Sequence, residues 1–118
     1  MKYNLENRTF NLASDIRQFV KSIKITLINA DDCKQMIRSS GSVGANYIEA
    51  NEALSRKDFF YRVRVSRKEV KETRYWLNLV NIEPIEKDIK EVQRLVQECE
   101  ELIKIFTKIL KSDTDNGK

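Results

Sequence analysis

The stretch RSSGSVGANYIEA, residues 38–50, holds Gly41 and Gly44, two of the chain's three glycines, in a segment whose flanks read as helix. Glycine in a helix interior costs about 1 kcal/mol relative to alanine. A helix that carries that cost twice gains the close approach of another backbone. Around this stretch Cys33, Ile37, Ser40, Gly44, Tyr47, Asn51 and Leu54 recur at alternating spacings of four and three, the period of one helical face. Met36, Val43 and Ala50 widen that face, and Ser39, Asn46 and Ala53 border it. The pattern predicts a helix from near Asn29 to Leu54. Asn29 caps it, and Asp31 and Asp32 suit the positive end of its dipole.

Three more amphipathic segments surround this one. Leu5, Leu12, Ile16, Phe19 and Ile23 share a face, with Ala13 and Val20 beside them, which predicts a helix over Leu5–Ile23 with Asn4 as N-cap. Lys24–Ile28 is β-branched without helical patterning and reads as a connector that packs down onto the bundle. Ser55 and Asp58 form a variant capping box, bracketed by Leu54 and Phe59 as a hydrophobic staple. The helix they open carries the seam Phe59, Val63, Ser66, Val70, Thr73, Leu77 and Val80. Pro84 fits the first turn of a last helix, Ile85–Lys111. Its seam is Ile85, Ile89, Val92, Val96, Cys99, Ile103, Phe106 and Leu110, and Leu95, Leu102 and Ile109 form a further column. Four amphipathic helices joined by short links predict an all-α, antiparallel up-down-up-down four-helix bundle. The expected division is one domain over residues 1–111 and a polar, frayed tail over 112–118.

Composition agrees and narrows the function. In 118 residues there are only three glycines and one proline, too few turn residues for a sheet protein. No histidine is present, which removes the usual general base and the commonest metal ligand. Glu49, Glu52, Glu69 and Glu72 come from two helices as in carboxylate-bridged di-iron bundles, but those sites also need Glu-x-x-His pairs. The serines and the two cysteines have no base to activate them. An enzyme is therefore not expected, and neither is a metal or another cofactor. Cys33 and Cys99 fall on apolar stripes and read as reduced core thiols of a cytoplasmic protein. The N-terminus lacks the apolar run of a signal peptide, and no stretch approaches the length of a membrane span.

Charge is distributed unevenly. Between Ala53 and Arg74 lie eight basic residues and three acids, a local balance of +5 in a chain whose total is +4. On the helical wheel Lys57, Arg64 and Lys71 share a column. Arg67 and Arg74 flank it on one side, and Lys68 with Tyr61 and Tyr75 on the other. Cations interleaved with aromatic rings grip phosphates and stack on bases. The same pattern is also that of a solvated face, and both readings stay open here. The opposite flank, Val65, Glu69, Glu72, Trp76 and Leu79, forms a second stripe that the seam does not use. It reads either as a subunit contact, with Asn46 and Glu49 joining it, or as a core edge capped by Trp76.

Three sequence blocks carry a resemblance. Ser42-Val43-Gly44-Ala45-Asn46-Tyr47-Ile48-Glu49-Ala50, then Ser55-Arg56-Lys57-Asp58-Phe59, then Glu69-Val70-Lys71-Glu72-Thr73-Arg74-Tyr75-Trp76-Leu77 resemble the bacterial four-helix bundle proteins, also called the 23S rRNA intervening-sequence protein family. The likeness covers nearly the whole chain. The glycine before Ser42 stands one place later than the pattern has it. Val70 replaces a common alanine, and Arg62–Lys68 is more basic than the pattern requires. The resemblance implies a ring-shaped homopentamer and a poorly defined biochemical function. Some members are encoded within insertions in ribosomal RNA genes. Distant relatives are accessory proteins of diversity-generating retroelements, with a basic surface proposed to hold nucleic acid. Family roles, architectural in kind, carry over onto Asn46, Glu49, Glu69, Glu72, Thr73, Tyr75 and Trp76.

Two functions compete from these observations. One is a nucleic-acid-binding accessory factor, for RNA or DNA, that uses the basic face. The other is a scaffold whose homo-oligomer docks an acidic protein.

Overall fold

The computed structural model describes the backbone of residues 4–116 and the side chains of 4–113. Four helices account for most of it: α1 (Leu5–Ser22), α2 (Ala30–Asn51), α3 (Arg56–Leu79) and α4 (Glu86–Asn116). No strand occurs among the described residues. The helices lie side by side in a body of 50 × 20 × 20 Å. Each meets its neighbours in chain order, and α4 closes the circuit against α1. The core runs along the axis through Leu12, Ile16 and Phe19 of α1, Met36 and Val43 of α2, Val63, Val70 and Leu77 of α3, and Leu95, Leu102 and Phe106 of α4.

The small residues of α2 serve two different ends. At Gly44 an added Cβ would stand 3.0 Å from Thr9 Oγ1, so α1 does press against this point. Thr9 is fully buried and its hydroxyl donates back to Leu5 O at 2.7 Å, which fixes it in place. At Gly41 the nearest atom would be Arg17 Nη2 at 3.5 Å, an ordinary contact. There the missing side chain opens a groove of about 420 Å³ between Phe10, Ala13, Ala45 and Ile48.

Across α2 and α3 the cross-helix bonds share one register. Ser39 Oγ and Thr73 Oγ1 are 2.7 Å apart, Ser66 Oγ donates to Val43 O, and Arg62 Nη1 donates to Asn46 Oδ1. Buried hydroxyls take the place of larger side chains here, so the two helices pack closely and leave those hydroxyls satisfied. Between α1 and α4 the seam is thinner, and arginines bridge it. Arg8 reaches Glu98 at 2.6 Å and Glu101 at 3.1 Å, while Arg94 joins Asp15 to Glu91. Between α3 and α4 the pairs are Arg56–Asp113, Arg67–Thr107 and Arg74–Glu100.

Several expectations are corrected. The connector Lys24–Ile28 does not pack down. Ile25, Leu27 and Ile28 face solvent, Leu27 completely. The reason is Asn29, which is buried and spends its amide on the loop backbone. It accepts from Thr26 N and donates to Lys24 O and to Asn81 O of the α3–α4 loop. Satisfying those backbone groups aims the apolar side chains outward. Asn29 therefore ties two loops together and makes no side-chain cap for α2, and Asn4 makes none for α1. Ser55 does cap α3, accepting from Asp58 N at 3.1 Å, but the expected staple fails because Leu54 is fully exposed. Helix α4 begins at Glu86, after Pro84, and continues past Lys111 to Asn116, so the expected frayed tail is helical that far. Leu110 buries in the core and Asp113 meets Arg56, which carries the helix past Lys111. Residues 117 and 118 lie outside the described residues. The centre of the α4 face is Leu95, Cys99, Leu102 and Phe106, while Ile85 and Ile89 are exposed.

Both cysteines are free thiols in the interior. Burial raises the Cys33 thiol above its ordinary range and pushes Cys99 up to about 12, so neither forms thiolate readily.

Candidate nucleic-acid interface

Helix α3 contacts α2 on one side and α4 on the other, which leaves an outer strip facing solvent. That strip carries the cations. Tyr61, Arg64, Val65, Arg67, Lys68 and Lys71 line one shallow groove of about 540 Å³. Their offsets of three and four follow the helical repeat, so a single rigid helix fixes all of their spacings. Five of the eight residues expected to meet nucleic acid come together here. Lys57, Arg74 and Tyr75 lie outside the groove lining.

Not all of these cations are equally free. Among the described residues, Lys57, Arg64 and Lys71 are exposed and take part in no ion pair within 4 Å. Arg67 spends one N–H on the neutral Thr107 hydroxyl at 3.1 Å and pairs with no carboxylate among the described residues. Lys68 is shared loosely with Glu69 and Glu72, at 3.8 and 3.9 Å. Arg74 stands 4.0 Å from Glu100 of α4. Tyr61 is 56% exposed, and the Arg62 guanidinium lies over its ring at 5.6 Å from the centroid. Tyr75 packs edge-on against Trp76 with ring centres 4.9 Å apart.

The second stripe of α3 is more involved in the bundle than its sequence implies. Glu69 is buried, and Arg38 of α2 reaches Glu72 at 2.8 Å and Glu69 at 3.5 Å. The reading that the stripe stands outside the chain's own contacts is corrected at these two positions. Glu69 Oε1 is buried with no hydrogen-bond partner, a costly state for a carboxylate that Arg38 offsets through charge alone. Trp76 is partly buried and packs against the core, whereas Leu79 is 52% exposed. Val65 joins the cationic groove. Arg62 of α3 engages two residues of α2, Asn46 through a 3.0 Å hydrogen bond and Glu49 at 3.4 Å.

Sequence reasoning missed Arg38 and Arg62 as organisers of these acids. A signal existed. Once Ser39 is set opposite Thr73 and Val43 opposite Ser66, the same register brings Arg38 to Glu72 and Asn46 to Arg62.

The four-helix fold and the cation-lined outer face of α3 define an all-α protein with one strongly basic surface on a rigid helix. Its sequence matches the 23S rRNA-intervening sequence protein family over residues 2–108, and the chain belongs to that family. A solved structure from Bacteroides thetaiotaomicron, a protein with unknown function from the S23 ribosomal protein family, is similar. It is 29% identical with a TM-score of 0.71, and the match covers 90% of this chain and 97% of that one. No curated protein matches the chain. Among the described residues, no helix is long and apolar enough to cross a membrane.

Proposed function

We propose that this chain is a non-enzymatic, nucleic-acid-binding accessory protein of the cytoplasm, antiparallel in its helix order, that works as a homo-oligomeric ring, a pentamer by family resemblance. The observation that carries the binding reading is the groove on α3, where Arg64, Arg67 and Lys71 stand beside Tyr61 with no carboxylate of the same chain paired to them among the described residues. Phosphate neutralisation by such cations releases counterions, so affinity depends steeply on salt. Repetition of the groove around a ring multiplies weak contacts by avidity. The order of cross-helix pairs supports the antiparallel reading: Asn51–Glu6 and Gly44–Thr9 between α1 and α2, then Arg38–Glu72 and Arg62–Glu49 between α2 and α3.

Filter binding of structured RNA and of duplex DNA across a salt series tests the reading. Affinity should fall steeply between about 50 and about 200 mM salt. It should collapse in an Arg67→Glu/Lys71→Glu chain. Affinity that ignores both changes rules the reading out. A second reading, docking of an acidic protein, draws on Lys68 and Arg74, which already approach carboxylates in this chain. A partner retained after nuclease treatment favours it.

A further inference from the structure

We infer that the groove on α3 takes single-stranded nucleic acid in preference to duplex, with one base stacked on Tyr61 at the end of the cation track. The inference rests on the nucleic-acid reading above and specifies its substrate.

Tyr61 stands at a boundary. On one side lies the cationic groove with Arg64, Arg67, Lys68 and Lys71. On the other lies a second cleft, of about 550 Å³, which Tyr61 also lines and which carries Glu49, Glu52 and Asp58. A phosphate chain following the cations meets the ring and then a row of carboxylates that repels it. The cation lining of the groove therefore ends at Tyr61, and Lys57, one turn further along α3, lines neither cleft.

The ring is prepared for stacking. Arg62 lies over it, and Arg62 is itself held by Asn46 Oδ1 and Glu49. A pinned guanidinium fixes the ring's orientation without filling the groove, since Arg62 lines the acidic cleft and not the cationic one. Stacking needs an exposed base face, which a single strand offers along its length and an intact duplex hides. The scale also fits a short strand. Tyr61 to Lys71 spans about 15 Å of helix at about 1.5 Å per residue. A stacked strand rises about 3.4 Å per nucleotide, so the track matches roughly four nucleotides.

The full chain is titrated against fluorescein-labelled oligo(U), oligo(dT) and a mixed-sequence duplex, each of about 12 units, which lies within the usual range of single-strand site sizes. Tyr61→Ala should weaken both single-stranded probes by about 5- to 150-fold, the value of one base–aromatic stack, and leave the duplex unchanged. Tyr61→Phe should bind as the unaltered chain does. Lys71→Ala should weaken all probes alike and lower the salt slope by about one. If Lys71→Ala weakens every probe while Tyr61→Ala affects none, or affects single strand and duplex equally, the stacking inference is overturned and the nucleic-acid reading stands. If the unaltered chain binds no probe, or Lys71→Ala changes nothing, both fall.

Discussion

Gly41 and Gly44 look alike in the sequence and do different work in the fold. Both signal close approach, and that much is legible from composition alone. Which of them faces the neighbouring helix depends on the rotation of α2, which a face made of tiny side chains does not mark. At Gly44 the obstacle to a side chain is Thr9, whose Oγ1 would lie 3.0 Å from the new Cβ and whose hydroxyl is locked to Leu5 O. Gly44→Ala should lower stability by about 1 kcal/mol despite alanine's better helix propensity, because overpacking outweighs it. Gly41→Ala meets only the end of Arg17, a flexible chain, and should raise stability by about 0.5–1 kcal/mol. Urea unfolding of the two variants checks both signs. Equal shifts would mean that α1 does not approach α2 closely at Gly44.

At the level of elements, the sequence reading places the helices well and their rotations less well. Ser55 is legible as a cap because its mechanism is local: one hydroxyl and one N–H three residues on. Ser55→Ala should cost about 1 kcal/mol in the same unfolding measurement. The face of α4 is harder to read. Its apolar columns are adjacent, and only contact with α1 and α3 selects Leu95 and Leu102 over Ile85 and Ile89. The thin α1–α4 seam also escapes a one-helix reading, since Arg8 and Arg94 find their acids on another helix. The arginine that spans this seam has a pH-sensitive partner on its own helix, since Arg94 also pairs with Glu91 three residues earlier in α4. Hydrogen bonds from Arg94 hold the Glu91 carboxyl below its ordinary value of 4.5. A carboxylate depressed in the folded state adds stability above its unfolded pKa, and that stability is lost as pH falls through the folded value. The urea midpoint should therefore decline on acidification below about pH 4.5, and Glu91→Gln should flatten part of that decline. Identical acid limbs for the two proteins would mean that the Glu91–Arg94 pair of α4 adds nothing to stability.

For the whole molecule, the question is which surfaces the bundle keeps for itself. The concentration of cations on α3 is legible in the sequence, because helical spacing alone sets their columns. Their freedom is not, because it depends on residues of other helices: Glu100 of α4 approaches Arg74, and Arg38 of α2 shares Glu69 and Glu72 with Lys68. The stripe proposed for subunit contact is accordingly divided. Its acids are tied inward, Trp76 is shared between core and surface, and Leu79 is left facing out. This division makes the assembly testable without unfolding the subunit. Trp76→Ala removes packing from the core edge as well as from any contact, so loss of assembly in that chain is ambiguous on its own. Leu79 is 52% exposed at the end of α3, so Leu79→Asp disturbs the core less than Trp76→Ala does, and an acid in the last turn of a helix costs only about 0.3–1 kcal/mol. Sedimentation of the unaltered chain at micromolar concentration should show a species several times the 13.9 kDa of one copy. The Leu79→Asp chain should stay folded, with its unfolding midpoint lowered only slightly, and sediment as smaller species, since a charge placed in an apolar contact is costly to desolvate. If the unaltered chain sediments only at 13.9 kDa, the ring is excluded. If Leu79→Asp and Trp76→Ala both assemble fully, the ring is built on another face of the bundle.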